Sequence, residues 1–164
     1  MRDLLNQIKV GLDCNLYYLC LFAALAIPDI CGALESEDGY ANGSRYINWF
    51  ESNVKTAESF LTGQDCYYFR CSMLHQGTTG HPQSSFKGIA FIEPGSTSST
   101  VHNCNFSGMY CIDIRKFCTD IINAADNWLE RKSKDADFLK NYDKCIKRHP
   151  SGLAPYITGV PVIS

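Results

Sequence analysis

The chain has 164 residues, 45% of them hydrophobic and 20% charged, with a formal net charge of −2. That length supports one domain with a real core, and the composition excludes a disordered chain. The charge excludes a globally basic nucleic-acid binder, so any RNA contact has to come from a local basic patch.

The first half reads as helix. In "RDLLNQIKVGLDCNLYYLCLFAALAI", Leu4, Leu5, Ile8, Leu12, Leu16, Leu19 and Ala23 recur at helical spacing. Pro28 is expected to stop or kink this helix and to open the next, "PDICGALES", as its first helical residue. The run Leu16 to Ile27 is the most apolar in the chain, but shorter than the roughly 20 residues a bilayer needs, so it reads as a core helix. "ALA" at 24–26 imitates a signal-peptidase site, but Asp3 and Asp13 before the run argue against a leader. After the turn-rich "EDGYANGS", Ser44 can cap a helix with Tyr46, Trp49 and Phe50 on one apolar face. A fourth helix runs from a Thr62 cap to His75, and Gly77 stops it.

The composition then changes. "TTGHPQSS" and "EPGSTSST" are loops, and "FKGIAFIE", "TVHNCNF" and "MYCIDI" are short β-branched or aromatic runs. They predict a small antiparallel β insertion around residues 86–114. Helix returns afterwards, with Phe117, Ile121, Ile122, Ala125, Trp128 and Leu129 as its stripe. Ser133 can cap a further segment with Phe138, Leu139, Tyr142 and Ile146 inward, its mixed charges forming a solvated face. Residues 1–149 thus make one domain, and the Pro-containing tail 150–164 is expected to be extended.

The nine cysteines are an odd set scattered through apolar segments, not a secreted disulfide framework. They point to buried, reduced thiols and a cytoplasmic location. His102, Cys104, Cys111, Cys118 and His81 invite a zinc reading, yet their spacing fits no standard finger or ribbon, and neither a metal nor a cofactor is expected. Cys71 and His75, four apart, would allow a thiolate nucleophile, although a nucleophile and its base on adjacent turns of one helix is an uncommon arrangement.

The stretch "CYYFRCSMLHQG" carries the functional signal. Arg70 and His75 stand in the last two turns of the fourth helix, just before Gly77. Taken alone, such a pair can simply favour the negative end of the helix dipole, with Arg70 paired to Asp65, Glu35 or Asp38. Five residues apart means about 140° around the helix and about 7.5 Å along it, from which two long side chains can converge on one group. This Arg-x4-His arrangement in a helical domain resembles the HEPN superfamily, the higher-eukaryote and prokaryote nucleotide-binding domains. The polar position after the Arg is held here by Cys71, and no Tyr stands two residues after the His. The resemblance implies a mainly α fold, a bundle of four to five helices. It implies a metal-independent endoribonuclease with Arg70 and His75 catalytic and Cys71 and Gly77 supporting them. It also implies an RNA substrate, a homodimer with a composite cleft, no membrane, and a regulatory protein such as an antitoxin in a toxin or antiphage system. The competing expectation is an inactive HEPN-like interaction or nucleotide-binding module.

Overall fold

In the computed structural model, which describes residues 1–56 and 59–164, the protein is mainly α-helical with small sheets. Six helices lie among the described residues: α1 (Arg2–Asp13), α2 (Tyr17–Leu34), α3 (Gly43–Asn53), α4 (Gly63–Gln76), α5 (Ile114–Lys132) and α6 (Ala136–Tyr142). α2 runs through the middle, packed against each of the other five. Its sequence explains this, because it is apolar nearly all round and its buried residues include Cys20, Leu21, Ala24, Leu25, Ile27, Pro28, Cys31 and Leu34.

Two expectations about this region are corrected together. The chain breaks at 14–16, where Asn15 takes the left-handed conformation (φ 58), and not at Pro28, which sits inside α2. Asn tolerates that conformation through its short polar side chain. The loss of one helical hydrogen bond at Pro28 is offset by burying its ring in the core. The break also resets the helical phase: Leu5, Ile8 and Leu12 are buried, but Leu16 and Leu19 are exposed. α2 therefore reaches 18 residues and is long and apolar enough to cross a membrane by length and composition. Half of it is buried inside the bundle, which gives it a core role here.

The cap of α3 is Asn42, whose side chain accepts from Arg45 N, rather than Ser44. The cap of α6 is Asp135, accepting from Phe138 N, rather than Ser133. Asn42 stands two residues before Ser44 and Asp135 two residues after Ser133, and each is the residue at which the extended backbone turns into the helix. α4 begins and ends where the sequence places it: Thr62 accepts from Asp65 N, and Gly77 takes φ 68 as a left-handed C-cap. Tyr46, Trp49, Phe50 and the whole α5 stripe are buried, with Trp49 and Trp128 edge to face at 6.1 Å. In the last segment Phe138 is buried and Tyr142 half-buried, whereas Leu139 and Ile146 are exposed. Asn141 takes the inward place, its amide donating to the carbonyls of Leu34 and Ser36 at the end of α2.

The β insertion comprises β1 (Gly88–Ile92), β2 (Cys104–Phe106) and β3 (Met109–Asp113), in the order β1-β3-β2. It is mixed rather than antiparallel: β3 pairs antiparallel with β2 but parallel with β1. The parallel pairing lets β1 bury Ile89 on the same core that β3 reaches with Tyr110 and Ile112 before it runs into α5. The C-terminal tail is not simply extended. β4 (Arg148–His149) pairs with β7 (Val162–Ile163), and β5 (Gly152–Leu153) with β6 (Ile157–Thr158), folding the segment back on itself.

Candidate active site

α4 supplies the site. Its buried side carries Asp65, Cys66, Phe69, Ser72 and Met73. That facing leaves Tyr67, Arg70, Cys71, Leu74 and His75 on the outer side, partly or fully exposed. No acidic residue stands between Cys66 and Gly77, so this face carries only the positive charge of Arg70 and the titratable His75.

Arg70 and His75 do converge. Arg70 Nη1 lies 3.2 Å from His75 Nε2. A guanidinium can only donate, so His75 Nε2 accepts and the ring proton sits on Nδ1. Arg70 Nε donates to Asp29 Oδ2 at 2.7 Å. This carboxylate is 41 residues away on α2, and none of the three acids the sequence suggested is the partner. Both ends of the pair are largely covered, Arg70 being 22% and Asp29 14% exposed at the side chain. Burial pushes the Asp29 carboxyl above its usual range, and the charge and hydrogen bond of Arg70, with His75 beyond, pull it back only in part. The result is a chain of three groups, Asp29–Arg70–His75, that fixes the guanidinium between an inner carboxylate and an exposed imidazole.

The sequence contained a signal for Asp29. It is the sole charged residue between Asp13 and Glu35, alone in the most apolar stretch of the chain. A lone carboxylate in a core helix needs a partner.

The flanks are aromatic. Tyr67 packs beside the buried Tyr46, ring centroids 5.4 Å apart, and Tyr68 stacks on His81 at 4.5 Å with 3° between the planes. His81 is held there by the loop after α4, which Asp65 anchors. Ser84 Oγ and Ser85 N both donate to Asp65 Oδ1, and Thr62 Oγ1 donates to Oδ2.

The zinc ligands are not brought together. His81 lies against Tyr68, and Cys118 is fully buried in α5. Cys104 and Cys111 face each other across the hairpin. Among the described residues no group of three or more His, Cys, Asp or Glu is placed to hold a metal. All nine cysteines are free thiols. Burial pushes Cys66 and Cys118 up to about 12, which removes them as thiolates. Cys71 is half-exposed on the same face as His75, whose Nε2 is engaged by Arg70.

Comparison with known proteins gives no match to a family model, to a curated protein or to a solved structure.

Proposed function

We propose that this protein is a metal-independent endoribonuclease of the HEPN type, acting on single-stranded RNA as a cytoplasmic homodimer. The observation that carries the reading is the Asp29–Arg70–His75 chain, which presents a fixed cation and an unprotonated imidazole nitrogen on one carboxylate-free helix face. In this reading His75 Nε2 takes the proton of a ribose 2′-OH. The 2′ oxygen attacks the adjacent phosphorus, and the bond to the 5′ oxygen breaks. That oxygen leaves with a proton returned by an imidazolium, which a dimer supplies from the second copy's His75. Arg70 turns its donors to the non-bridging oxygens as charge develops on them. The products carry 2′,3′-cyclic phosphate and 5′-hydroxyl ends, and DNA, lacking the 2′-OH, is spared. Tyr18, Leu19 and Phe22 of α2 remain exposed, apolar area of the kind a second copy would cover.

The ion pair also supports a second reading. If Asp29 holds Arg70 only to tie α2 to α4, the face is an interaction surface and not a reaction centre. Incubation of purified protein with single-stranded RNA in EDTA separates the two. The ribonuclease reading expects cleavage to cyclic-phosphate ends. Arg70→Ala and His75→Ala should each lower the rate at least about 100-fold, since each acts on one transition state, with the melting temperature unchanged in His75→Ala and lowered in Arg70→Ala, which leaves the covered Asp29 unpaired. Absence of cleavage by the unaltered protein, or unfolding of His75→Ala, would favour the interaction module.

A further inference from the structure

An open groove of about 450 Å³ begins at the inner end of the candidate site, with Asp29, the carboxylate that holds Arg70, in its wall. Ile30 and Ala33 of α2 give it an apolar side. Tyr40, 74% exposed, and Lys144 also line it. Cys145 is shared with a second cleft of about 680 Å³, which Lys140 and Lys147 line.

The charges along this path are uneven. Between Arg131 and Arg148 seven Lys or Arg stand against three Asp, in a chain whose net charge is −2. Lys140, Lys144, Lys147 and Arg148 are all exposed. Lys144 has no ion-pair partner among the described residues. The other carboxylate of the groove, Asp38, is bridged by Arg45 at 2.5 Å, and Arg45 also donates to the Tyr40 carbonyl. The loop that presents the tyrosine is therefore fixed while its ring stays open. An exposed aromatic ring beside an apolar wall, leading to unpaired cations, fits a strand with unstacked bases and a phosphate backbone.

We propose that this groove is the path by which single-stranded RNA leaves the Arg70–His75 centre, with one base stacked on Tyr40 and the next phosphates on Lys144 and its basic neighbours. This rests on the ribonuclease reading, and the test keeps the two separable. A 12-nucleotide RNA spans both site and groove, whereas a dinucleotide reaches only the site. Tyr40→Ala and Lys144→Glu should each raise KM for the 12-mer at least about fivefold, with kcat unchanged, because loss of one stacked base alone weakens single-strand binding by that order. Dinucleotide cleavage should not change. The dissociation constant of the 2′-deoxy 12-mer, which this mechanism cannot cut, should rise by the same factor, and its salt dependence should become shallower in Lys144→Glu. If the unaltered protein cuts nothing, the activity reading falls and the deoxy-strand binding decides the groove alone. Weakening by both variants then supports it. Failure of the strand to bind, or binding and KM that both variants leave untouched, would overturn it.

Discussion

Asp65 and Asp29 are both carboxylates covered by the core against α4, one at its start and one beside its last turns. Asp65 is only 2% exposed, yet its two oxygens receive three hydrogen bonds, from Thr62, Ser84 and Ser85. Burial pushes it up, but those donors together outweigh burial and hold it below the usual range. Asp29 accepts one bond, from Arg70 Nε, and burial keeps it above that range. A carboxylate that serves the fold is surrounded by neutral donors fixed in place. Asp29 is served by a single cation, whose remaining donors reach on to His75. The difference assigns Asp65 to stability and Asp29 to the orientation of Arg70.

Replacing each acid tests this assignment most strongly. Asp65→Ala strands three donors near the α4 cap and releases the loop bearing His81, at a cost of about 3 kcal/mol. For a chain of this size that lowers Tm by about 6–12 °C. Asp29→Asn should leave Tm within a few degrees and instead lower RNA cleavage about tenfold, because the guanidinium loses its orientation. Thermal denaturation and single-turnover cleavage of both variants read the two effects. Equal losses of stability would collapse the distinction.

This contrast also explains what the sequence could reveal. Thr62, Asp65 and Gly77 act locally, so the ends of α4 were legible from capping chemistry alone. The stripes of α3 and α5 were legible because helical period and burial agree there. Asp29 was hidden by Pro28. Reading the proline as a helix break detached Asp29 from the apolar helix and from α4, and left three wrong partners for Arg70. Proline's local cost predicts a break in an isolated segment, but here tertiary packing of α2 on five neighbours overrides it. The tail's two ladders and the parallel β1–β3 pair are non-local pairings, which local propensity does not encode. Arg70 and His75 were legible as a pair, but the atoms through which they meet were not.

Opposite pH dependence follows from the same two acids. Asp65 is held below its unfolded value, so the stability it contributes is present above the ordinary carboxylate range and is lost as pH falls through its native value. Asp29 is held above its unfolded value, so the native state favours its protonated form, and stability is lost as pH rises from the ordinary range through the raised value. Urea denaturation from pH 3 to 7 should therefore show the deficit of Asp65→Asn shrinking toward acid. Asp29→Asn should gain on the unaltered protein as pH rises. Parallel trends for the two variants would mean that Arg70 compensates Asp29 as fully as the hydroxyls compensate Asp65.

The smallest effect expected on this face is at Cys71. Its thiol stands one turn from His75, and a thiolate mechanism would need His75 to take its proton. His75 Nε2 accepts from Arg70 at 3.2 Å, and either mechanism needs Arg70 to turn away before that nitrogen can take a proton, so Cys71 and the 2′-OH compete for one base. Tyr67, one turn earlier, is pushed above its usual value chiefly by burial and then by the nearby Cys71, and the same thiol also lies beside the Arg70 guanidinium, so it stands between a neutral phenol and a cation. Cys71→Ala removes a small, half-exposed side chain without uncovering a charge, so stability should change by less than about 1 kcal/mol. Cleavage of RNA should stay within about twofold, against the 100-fold or greater losses at Arg70 and His75. Loss of activity in Cys71→Ala with an intact fold, together with inactivation of the unaltered protein by a thiol-alkylating reagent, would move the chemistry from the Arg70–His75 pair to the thiol and make Asp29 a structural acid like Asp65.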